Sequence, residues 1–184
     1  MTPRIPPLEP PYEQEVESML SKWMTSGAAE PLKLFRTLAH NMELAGRMRP
    51  LGAGILGRTS KIDPREREIV INRTCARCRG EYEWGVHVVV FGKTLGIPQE
   101  TLEATATKDS TDPLWSDRER LLVRLVDELH DTAQVSDALW ADLARHWTIP
   151  QLLELLVTVG WYHTISFVAN AARVPLETWA ARFP

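Results

Sequence analysis

Two residues in the middle of the chain have types and a spacing suited to acid–base chemistry. Glu83 and His87 stand four apart in the stretch GEYEWGVH. Side chains four apart share one face of an α-helix, so these two could hydrogen-bond. A carboxylate beside an imidazole fixes its tautomer and raises its basicity, which suits proton transfer near neutral pH. An ordinary solvated ion pair, or a histidine bound to a backbone carbonyl, explains the same spacing.

Both cysteines of the chain, Cys75 and Cys78, stand just upstream in the segment CARC. A C-x-x-C pair is a reactive dithiol, a metal clip or two small core residues. Neighbouring arginines could lower a thiol pKa. However, both cysteines lie two or more turns beyond the expected helix start at Asp63, outside the field of the helix N-terminus. Redox function and simple burial therefore both remain open.

Further residues join this side of the chain if one helix runs continuously across Gly80. Alternating spacings of three and four then place Glu68, Cys75, Cys78 and Tyr82 along one helical face. A carboxylate, two thiols and a phenol would lie side by side. If Gly80 breaks the helix, the thiols need not face the acid–base pair.

Metal binding is not favoured by these spacings. Structural zinc takes four ligands, and the only natural candidates here are the two cysteines and His87. A carboxylate–histidine site for another metal is a weaker alternative. The remaining histidines occupy amphipathic helical patterns typical of partly buried packing residues: His40, His130, His146 and His163. We therefore expect no metal and no cofactor.

The elements that must position these residues are helical. Three capping signals, at 63–66, 116–119 and 148–151, each precede an amphipathic run. Apolar residues recur at spacings of three and four, and no convincing alternating strand is found. The β-branched segments IVINRT and VHVVVF stand inside longer helical patterns. The sequence predicts an all-α, single-domain helical bundle.

The domain organisation is also visible in the sequence. Residues 1–11 contain five prolines and predict an extended arm, which leaves 12–184 as the helical domain. Residues 62–71 resemble residues 149–157, since each segment has a proline, a glutamate four later and an aliphatic run. This weak repeat predicts two similar helical halves, with chance similarity between capped helices as the alternative.

Composition limits the class of protein. The chain has 184 residues, 44% of them hydrophobic and 24% charged, with a net charge of −3. This is ordinary for one soluble domain. The chain contains no run of lysines or arginines of the kind that predicts nucleic-acid binding. We find no apolar run near the ~20 residues of a membrane span and no signal-peptide centre, so we expect a cytoplasmic protein that does not bind membranes.

Two longer segments carry a family resemblance. PREREIVINRT followed by GEYEWGVHVVVFGKTLGIPQE resembles the carboxymuconolactone decarboxylase family, within the alkylhydroperoxidase D-like superfamily. The later ELLVTVGWYHTISFVANAARVPLE is similar to the C-terminal helix of the longer members. The resemblance covers nearly the whole chain after the arm. It implies an all-helical fold, a homo-oligomer and a site on the central helices.

The peroxidases of that superfamily carry Glu-x11-Cys-x-His-Cys-x3-His, in which the cysteines are the peroxidatic and resolving thiols. Glu68 and His87 match the two ends of this motif. The cysteine positions hold Gly80 and Glu83, and Tyr82 replaces the inner histidine. The chain's own cysteines lie five residues upstream of the matching positions. The glutamate–histidine frame is thus present without the reactive thiols.

The remaining set resembles the tyrosine–glutamate–tryptophan members of the family. The resemblance implies a carboxy-lyase-like enzyme for a small carboxylated or lactone-type substrate. The implied catalytic roles are His87 as proton donor or acceptor, Glu83 as its orienter, Tyr82 as hydrogen-bond donor to an oxyanion, and Glu68 as relay. Trp84 would line the substrate site, and Arg73 or Arg79 would supply the cation for a substrate carboxylate.

Two other functions remain open. One is a thiol-dependent alkyl hydroperoxidase, a peroxiredoxin-type antioxidant or redox sensor, that uses Cys75 and Cys78. The other is a non-catalytic helical oligomer that binds a hydrophobic ligand through some of its seven tryptophans.

Overall fold

The computed structural model describes residues 2–24 and 30–184. Over these residues the regular structure is helical and no strand occurs, so the all-α prediction is confirmed. The helices are α1 (Gln14–Ser21), α2 (Lys33–Leu38), α3 (Met42–Leu56), α4 (Pro64–Arg77), α5 (Glu81–His87), α6 (Gln99–Thr107), α7 (Asp117–Thr132), α8 (Asp137–Leu143) and α9 (Ile149–Ala172). A π-helical turn (Val88–Gly92) continues α5.

Helix α4 lies at the centre of the fold. It starts where predicted, because the Asp63 side chain accepts hydrogen bonds from the backbone N–H groups of Arg65 and Glu66. Every residue from 67 to 75 is buried, including charged ones. Helices α5, α6, α7 and α9 all pack against α4, which explains why it has no solvent face along this stretch.

The chain turns sharply after α4. Cys78 caps the helix, Arg79 adopts a left-handed backbone with φ of 52°, and α5 begins at Glu81. Helix α5 then packs back against α4. The alternative of one continuous helix across Gly80 is therefore wrong, and Glu68, Cys75, Cys78 and Tyr82 do not share one helical face.

Gly80 makes this turn possible through a close approach. Its N–H donates a 2.7 Å hydrogen bond to the Cys75 carbonyl. A Cβ at this position would lie 2.6 Å from Oγ and 3.1 Å from Cβ of Ser166 in α9. A larger residue here would require Ser166 and the neighbouring backbone to shift.

Helix α9 corrects one sequence-based expectation. Its 24 residues are long and apolar enough, by length and composition alone, to cross a membrane. The expectation that no apolar run reaches this length is therefore wrong. In this fold α9 packs against α4 and α5, with Leu155, Val159 and Tyr162 buried on its inner side. Burial accounts for the apolar residues on this inner side, whereas Leu153, Val157 and Phe167 are exposed.

The proline-rich arm lies against the helical domain. The N–H groups of Arg4 and Ile5 donate to the Ala172 carbonyl at the end of α9, and the N–H of Leu8 donates to the Arg36 carbonyl. The arm is thus held to the domain by hydrogen bonds of its backbone, and its described residues 2–11 are not helical. The division at residue 11 and the similarity of two halves stay predictions, although α4 and α9 both begin with a proline after a capping residue and pack together.

Candidate active site

A cavity of about 890 Å³ opens between α2, α3, α5 and α9, and we call it the His87 cavity. Most of its wall is apolar, and the lining includes Phe35, Leu38, Val86, Val90, Trp161 and Ile165. Its polar lining residues include Glu83 and His87. Such a space suits a small, largely apolar molecule held by a few polar groups.

His87 lies between two carboxylates at the wall of this cavity. Its Nδ1 atom is 2.7 Å from Oε2 of Glu68, and its Nε2 atom is 3.4 Å from Oε1 of Glu83. The ring also stacks on Phe91 and meets the edge of Tyr162. Only 2% of the His87 side chain is exposed, so these neighbours fix its orientation.

The turn at Gly80 creates this arrangement. Glu68 is fully buried in the middle of α4, with Nε of Arg67 3.7 Å from its second oxygen. Helix α5 packs back against α4 and brings His87 to Glu68. Glu83 precedes His87 by one turn of α5, as the spacing predicts. Local periodicity supplies one carboxylate and tertiary packing supplies the other.

The two carboxylates decide the charge of His87. Burial alone would lower the pKa of the imidazole, but the negative charges and hydrogen bonds of Glu68 and Glu83 raise it to about 9. The ring is therefore an imidazolium at neutral pH, with a proton on each nitrogen. It is a proton donor that a carboxylate on either side can reload.

Glu83 keeps one oxygen free for another partner. Its Oε2 atom is buried and accepts no hydrogen bond from the described part of the chain. Glu83 also lines the cavity. A buried carboxylate oxygen without a donor is costly, and a substrate O–H, N–H or acidic C–H would satisfy it.

Tyr82 stands behind the cavity wall. Its hydroxyl donates a 2.7 Å hydrogen bond to Oε1 of Glu177 and accepts one from the Leu34 N–H. Burial, followed by the charge of Glu177, raises the Tyr82 pKa. Leu34 and Glu177 line the cavity, whereas Tyr82 does not. The predicted role as oxyanion donor is therefore not supported by this placement, and Tyr82 positions Glu177 instead.

The three residues predicted to bind substrate do not line the His87 cavity. Trp84 is fully buried and donates from Nε1 to Oγ1 of Thr105. Arg73 forms a bidentate ion pair with Asp127. Arg79 is exposed to solvent. All three lie on other sides of α4 and α5, because the helices separate at Gly80.

Other cations reach the cavity. The lining includes Lys22, Lys33 and Arg49, which the sequence gave no reason to select. Nζ of Lys33 lies 3.4 Å from Oε2 of Glu177, and the Arg49 guanidinium donates to the Lys22 carbonyl. These residues come from segments far from Glu83 and His87 in sequence, so only the packing of α2 and α3 on α5 and α9 reveals them.

The two cysteines are free thiols outside the cavity lining. Cys75 is fully buried, and burial followed by the charge of Glu83 raises its pKa well above the ordinary value. Cys78 is half-buried, and burial raises its pKa as well. Thiols of this kind are poor nucleophiles. Cys75 is a core residue of the α4–α5 packing, as one of the open interpretations has it.

Solved structures identify the fold. No protein-family model and no curated protein sequence matches the chain. An uncharacterized peroxidase-related protein from Silicibacter sp. TM1040 superposes with a TM-score of 0.81 at 15% identity, over 100% of this chain and 99% of that one. The chain has the AhpD-like fold.

Two more structures agree with this assignment. The alkylhydroperoxidase AhpD core protein from Ralstonia eutropha JMP134, also peroxidase-related, has a TM-score of 0.80 at 14% identity and covers 95% of this chain and 93% of its own. A protein of unknown function from Agrobacterium tumefaciens, named for AhpD and antioxidant defence, has a TM-score of 0.70 at 16% identity, over 77% and 95%. The predicted AhpD-like fold is thus confirmed.

Within this AhpD-like fold, the ends of the peroxidase motif meet and its thiols are missing. Glu68 and His87 are in direct contact, although they are nineteen residues apart. The two motif positions for cysteine hold Gly80 at the turn and Glu83 at the cavity. The His87 cavity is therefore lined by a carboxylate and an imidazole at these positions, and neither cysteine of the chain lines it.

Proposed function

We propose that this protein is an enzyme that moves protons on a small carboxylated or lactone-type substrate, as a carboxymuconolactone-decarboxylase-like lyase. The observation that carries the proposal is the position of His87 between Glu68 and Glu83 at the wall of an apolar cavity. An imidazolium with a pKa of about 9 and a carboxylate with a free oxygen form an acid–base pair there.

In the proposed reaction, His87, Glu68 and Glu83 each have a separate role. When the bond between the substrate and its carboxylate breaks, CO₂ leaves and the electron pair passes into an enolate of the lactone carbonyl. The Nε2–H of His87 then protonates the carbanion carbon, and the C–H bond forms as the N–H bond breaks. Glu68 holds the proton on Nδ1, and Glu83 returns a proton from solvent to Nε2.

The cavity suits such a substrate. Its apolar wall favours loss of a charged carboxylate as neutral CO₂ and strengthens the electrostatic contacts of the enolate. Arg49 and Lys33 are lining cations that a substrate carboxylate could meet. Glu83 and Glu177 occupy the same lining, so the substrate must orient its anionic end away from them.

Thiol peroxidase chemistry has less support, although the structural neighbours are named as peroxidase-related. A peroxidatic thiol must be accessible and have a low pKa. In this chain Cys75 is buried, both thiols have raised pKa values, and neither lines the His87 cavity.

The test is an activity assay on a panel of carboxylated γ-lactones. The decarboxylated products of these lactones are assayed in parallel. CO₂ release reports the decarboxylation step. Deuterium incorporation from D₂O, followed by NMR, reports the protonation of carbon. His87→Asn and Glu83→Gln should each lower the rate by about 10²-fold or more. Cys75→Ala is the matched control, because it changes a buried residue of the same region outside the cavity and should leave turnover intact.

Two results would contradict the proposal. Turnover that survives His87→Asn would remove the acid–base role. Binding of these ligands by the wild type, without CO₂ release or deuterium exchange for any of them, would favour the non-catalytic ligand-binding alternative.

A further inference from the structure

Three metal-ligating side chains from three helices meet away from the His87 cavity, and we call them the Cys–His cluster: Cys78, His130 and His163. Their ligand atoms all lie within 4.8 Å of one another. Nδ1 of His130 is 2.9 Å from Nε2 of His163, and Sγ of Cys78 is 4.0 Å from Nδ1 of His130. Each residue is half-buried.

The cluster stands on firmly packed elements. Cys78 caps the C-terminus of α4, His130 lies in the last turn of α7, and His163 lies in the middle of α9. Helix α4 packs against both α7 and α9. The three side chains are thus held by the central contacts of the fold rather than by loops, which favours a defined coordination geometry.

The hydrogen bonding of His163 fixes its tautomer. Its Nδ1 atom lies 2.9 Å from the Val159 carbonyl oxygen. Because a carbonyl oxygen only accepts, Nδ1 carries a proton, and in the neutral form of the ring the lone pair therefore lies on Nε2, which faces the cluster. A backbone carbonyl that orients the far nitrogen in this way is the usual outer partner of a metal-binding histidine.

The contact between the two histidines follows from this tautomer. With His163 in this neutral form, its Nε2 accepts and Nδ1 of His130 donates the single proton between the two nitrogens. A metal ion could replace that proton, with both nitrogen lone pairs directed at it. In a tetrahedral zinc site two nitrogens lie about 3.3 Å apart and a nitrogen and a sulfur about 3.6 Å apart. The observed 2.9 and 4.0 Å separations each differ from these values by about 0.4 Å, and the third pair of ligand atoms lies within 4.8 Å.

Nearby charges permit a cation at this place. Arg77 precedes Cys78 and would repel a metal ion if its charge were free. It pairs with Asp131 and lies 3.6 Å from Oδ1 of Asp127. Asp131 follows His130 directly in α7. Arg73 also pairs with Asp127, so the two arginine charges are together balanced by the two carboxylates beside the cluster.

We propose that Cys78, His130 and His163 bind zinc or a similar thiophilic divalent transition metal through one thiolate and two imidazole nitrogens. Such a borderline-soft donor set suits zinc. The described cluster supplies three ligand atoms, which leaves the fourth coordination position to water or a small ligand. This site is independent of the acid–base function proposed for the His87 cavity.

The sequence offered no signal for this site. His130 is 52 residues from Cys78 and His163 is 33 residues further on, so no metal-binding spacing exists. The expectation of no metal rested on local spacings, and it assigned His130 and His163 to packing. The packing of α7 and α9 on α4 brings these two histidines to Cys78.

Cobalt spectroscopy tests the proposal on the full-length protein after chelator treatment. Co²⁺ should give a thiolate charge-transfer band in the near ultraviolet and intense tetrahedral bands in the visible, and Zn²⁺ should displace it. Cys78→Ala should abolish the charge-transfer band. His130→Gln and His163→Gln should each lower the Zn²⁺ affinity by at least about tenfold, measured by competition with a chromophoric chelator.

Two variants provide matched controls. His146→Gln removes an exposed histidine outside the cluster, and Cys75→Ala removes the other thiol. Both should retain the wild-type cobalt spectrum and Zn²⁺ affinity. If Cys78→Ala does not fold, the two histidine variants carry the test by their affinities. Absence of the thiolate band in the wild type, or an unchanged Zn²⁺ affinity in the cluster variants, would overturn the proposal and leave a hydrogen-bonded histidine pair.

Discussion

Nδ1 of His87 lies 2.7 Å from Oε2 of Glu68, although the two residues are on different helices. The contact joins a fully buried carboxylate in the centre of α4 to an almost fully buried imidazole at the end of α5. An unpaired charge at this depth is costly, and each group offers the other a partner there. The contact therefore couples the packing of two helices to the protonation state of the candidate catalytic residue.

The first prediction concerns the origin of the His87 pKa. Glu68→Gln should lower the pKa of His87 from about 9 by at least one unit, because it removes the closer of the two negative charges. Glu83→Gln should lower it less, since Glu83 is 3.4 Å away. NMR titration of the His87 ring proton measures both shifts. A larger effect of Glu83→Gln would mean that the longer contact dominates.

The second prediction concerns stability against pH. The folded pKa of His87, about 9, lies above the ordinary 6.5, so folding is favoured by proton uptake. This stabilisation is complete below about pH 6.5 and is lost as the pH rises through about 9. It is on the order of 3 kcal/mol, since each pKa unit corresponds to about 1.4 kcal/mol.

Urea unfolding of wild type and His87→Asn across this pH range isolates the effect, because asparagine does not titrate. The wild type should be the more stable protein at about pH 6, and the difference should shrink steadily toward about pH 10. Parallel stability curves for the two proteins would show that His87 does not take up a proton on folding.

The features that the sequence predicts correctly are those formed by residues close together in the chain. The Glu83–His87 contact follows from the period of one helix, and the start of α4 follows from the Asp63 cap. Glu68 was reached through the spacing of a family motif. The cavity cations and the histidines of the Cys–His cluster were missed, because packing between distant helices brings them into place.

The turn at Gly80 explains why Tyr82 and Trp84 do not lie where the sequence analysis expected them. With a continuous helix, Tyr82 and Trp84 would continue the faces of α4. The turn at Gly80 reverses the chain, so Trp84 enters the core beside Thr105 and Tyr82 hydrogen-bonds Glu177. The positions of Tyr82 and Trp84 therefore depend on the turn at this one glycine. The turn brings Gly80 close to Ser166, a contact that the sequence does not reveal.

The third prediction tests this turn. Gly80→Ala should lower the free energy of unfolding by about 1–3 kcal/mol, because the new Cβ meets Ser166 at 2.6 Å and the Cys75 carbonyl at 3.2 Å. Gly46→Ala in α3 is the matched control, since nothing lies within 4 Å of its Cβ. That change should be neutral or stabilise the protein by up to about 1 kcal/mol. Equal effects of the two substitutions on urea unfolding would refute the close approach.

The fourth prediction concerns the thiols. Iodoacetamide should modify Cys78 more slowly than an unperturbed cysteine at neutral pH and should modify Cys75 only after unfolding, because burial raises both pKa values. One equivalent of an organic hydroperoxide should leave both thiols alkylatable, read by intact mass. Rapid loss of both thiols, reversed by a dithiol reductant, would instead support the peroxidase alternative.

The fifth prediction concerns substrate binding in the His87 cavity. Arg49→Gln should raise the KM for a carboxylated substrate by about tenfold and change kcat little, because Arg49 is a lining cation to which the proposal gives the substrate carboxylate and not the reacting atoms. Arg47→Gln is the matched control: Arg47 lies on the same helix, is exposed and pairs with Glu43. It should leave KM unchanged. An equal rise in KM for both variants would show that the net charge of α3, rather than a contact in the cavity, attracts the substrate.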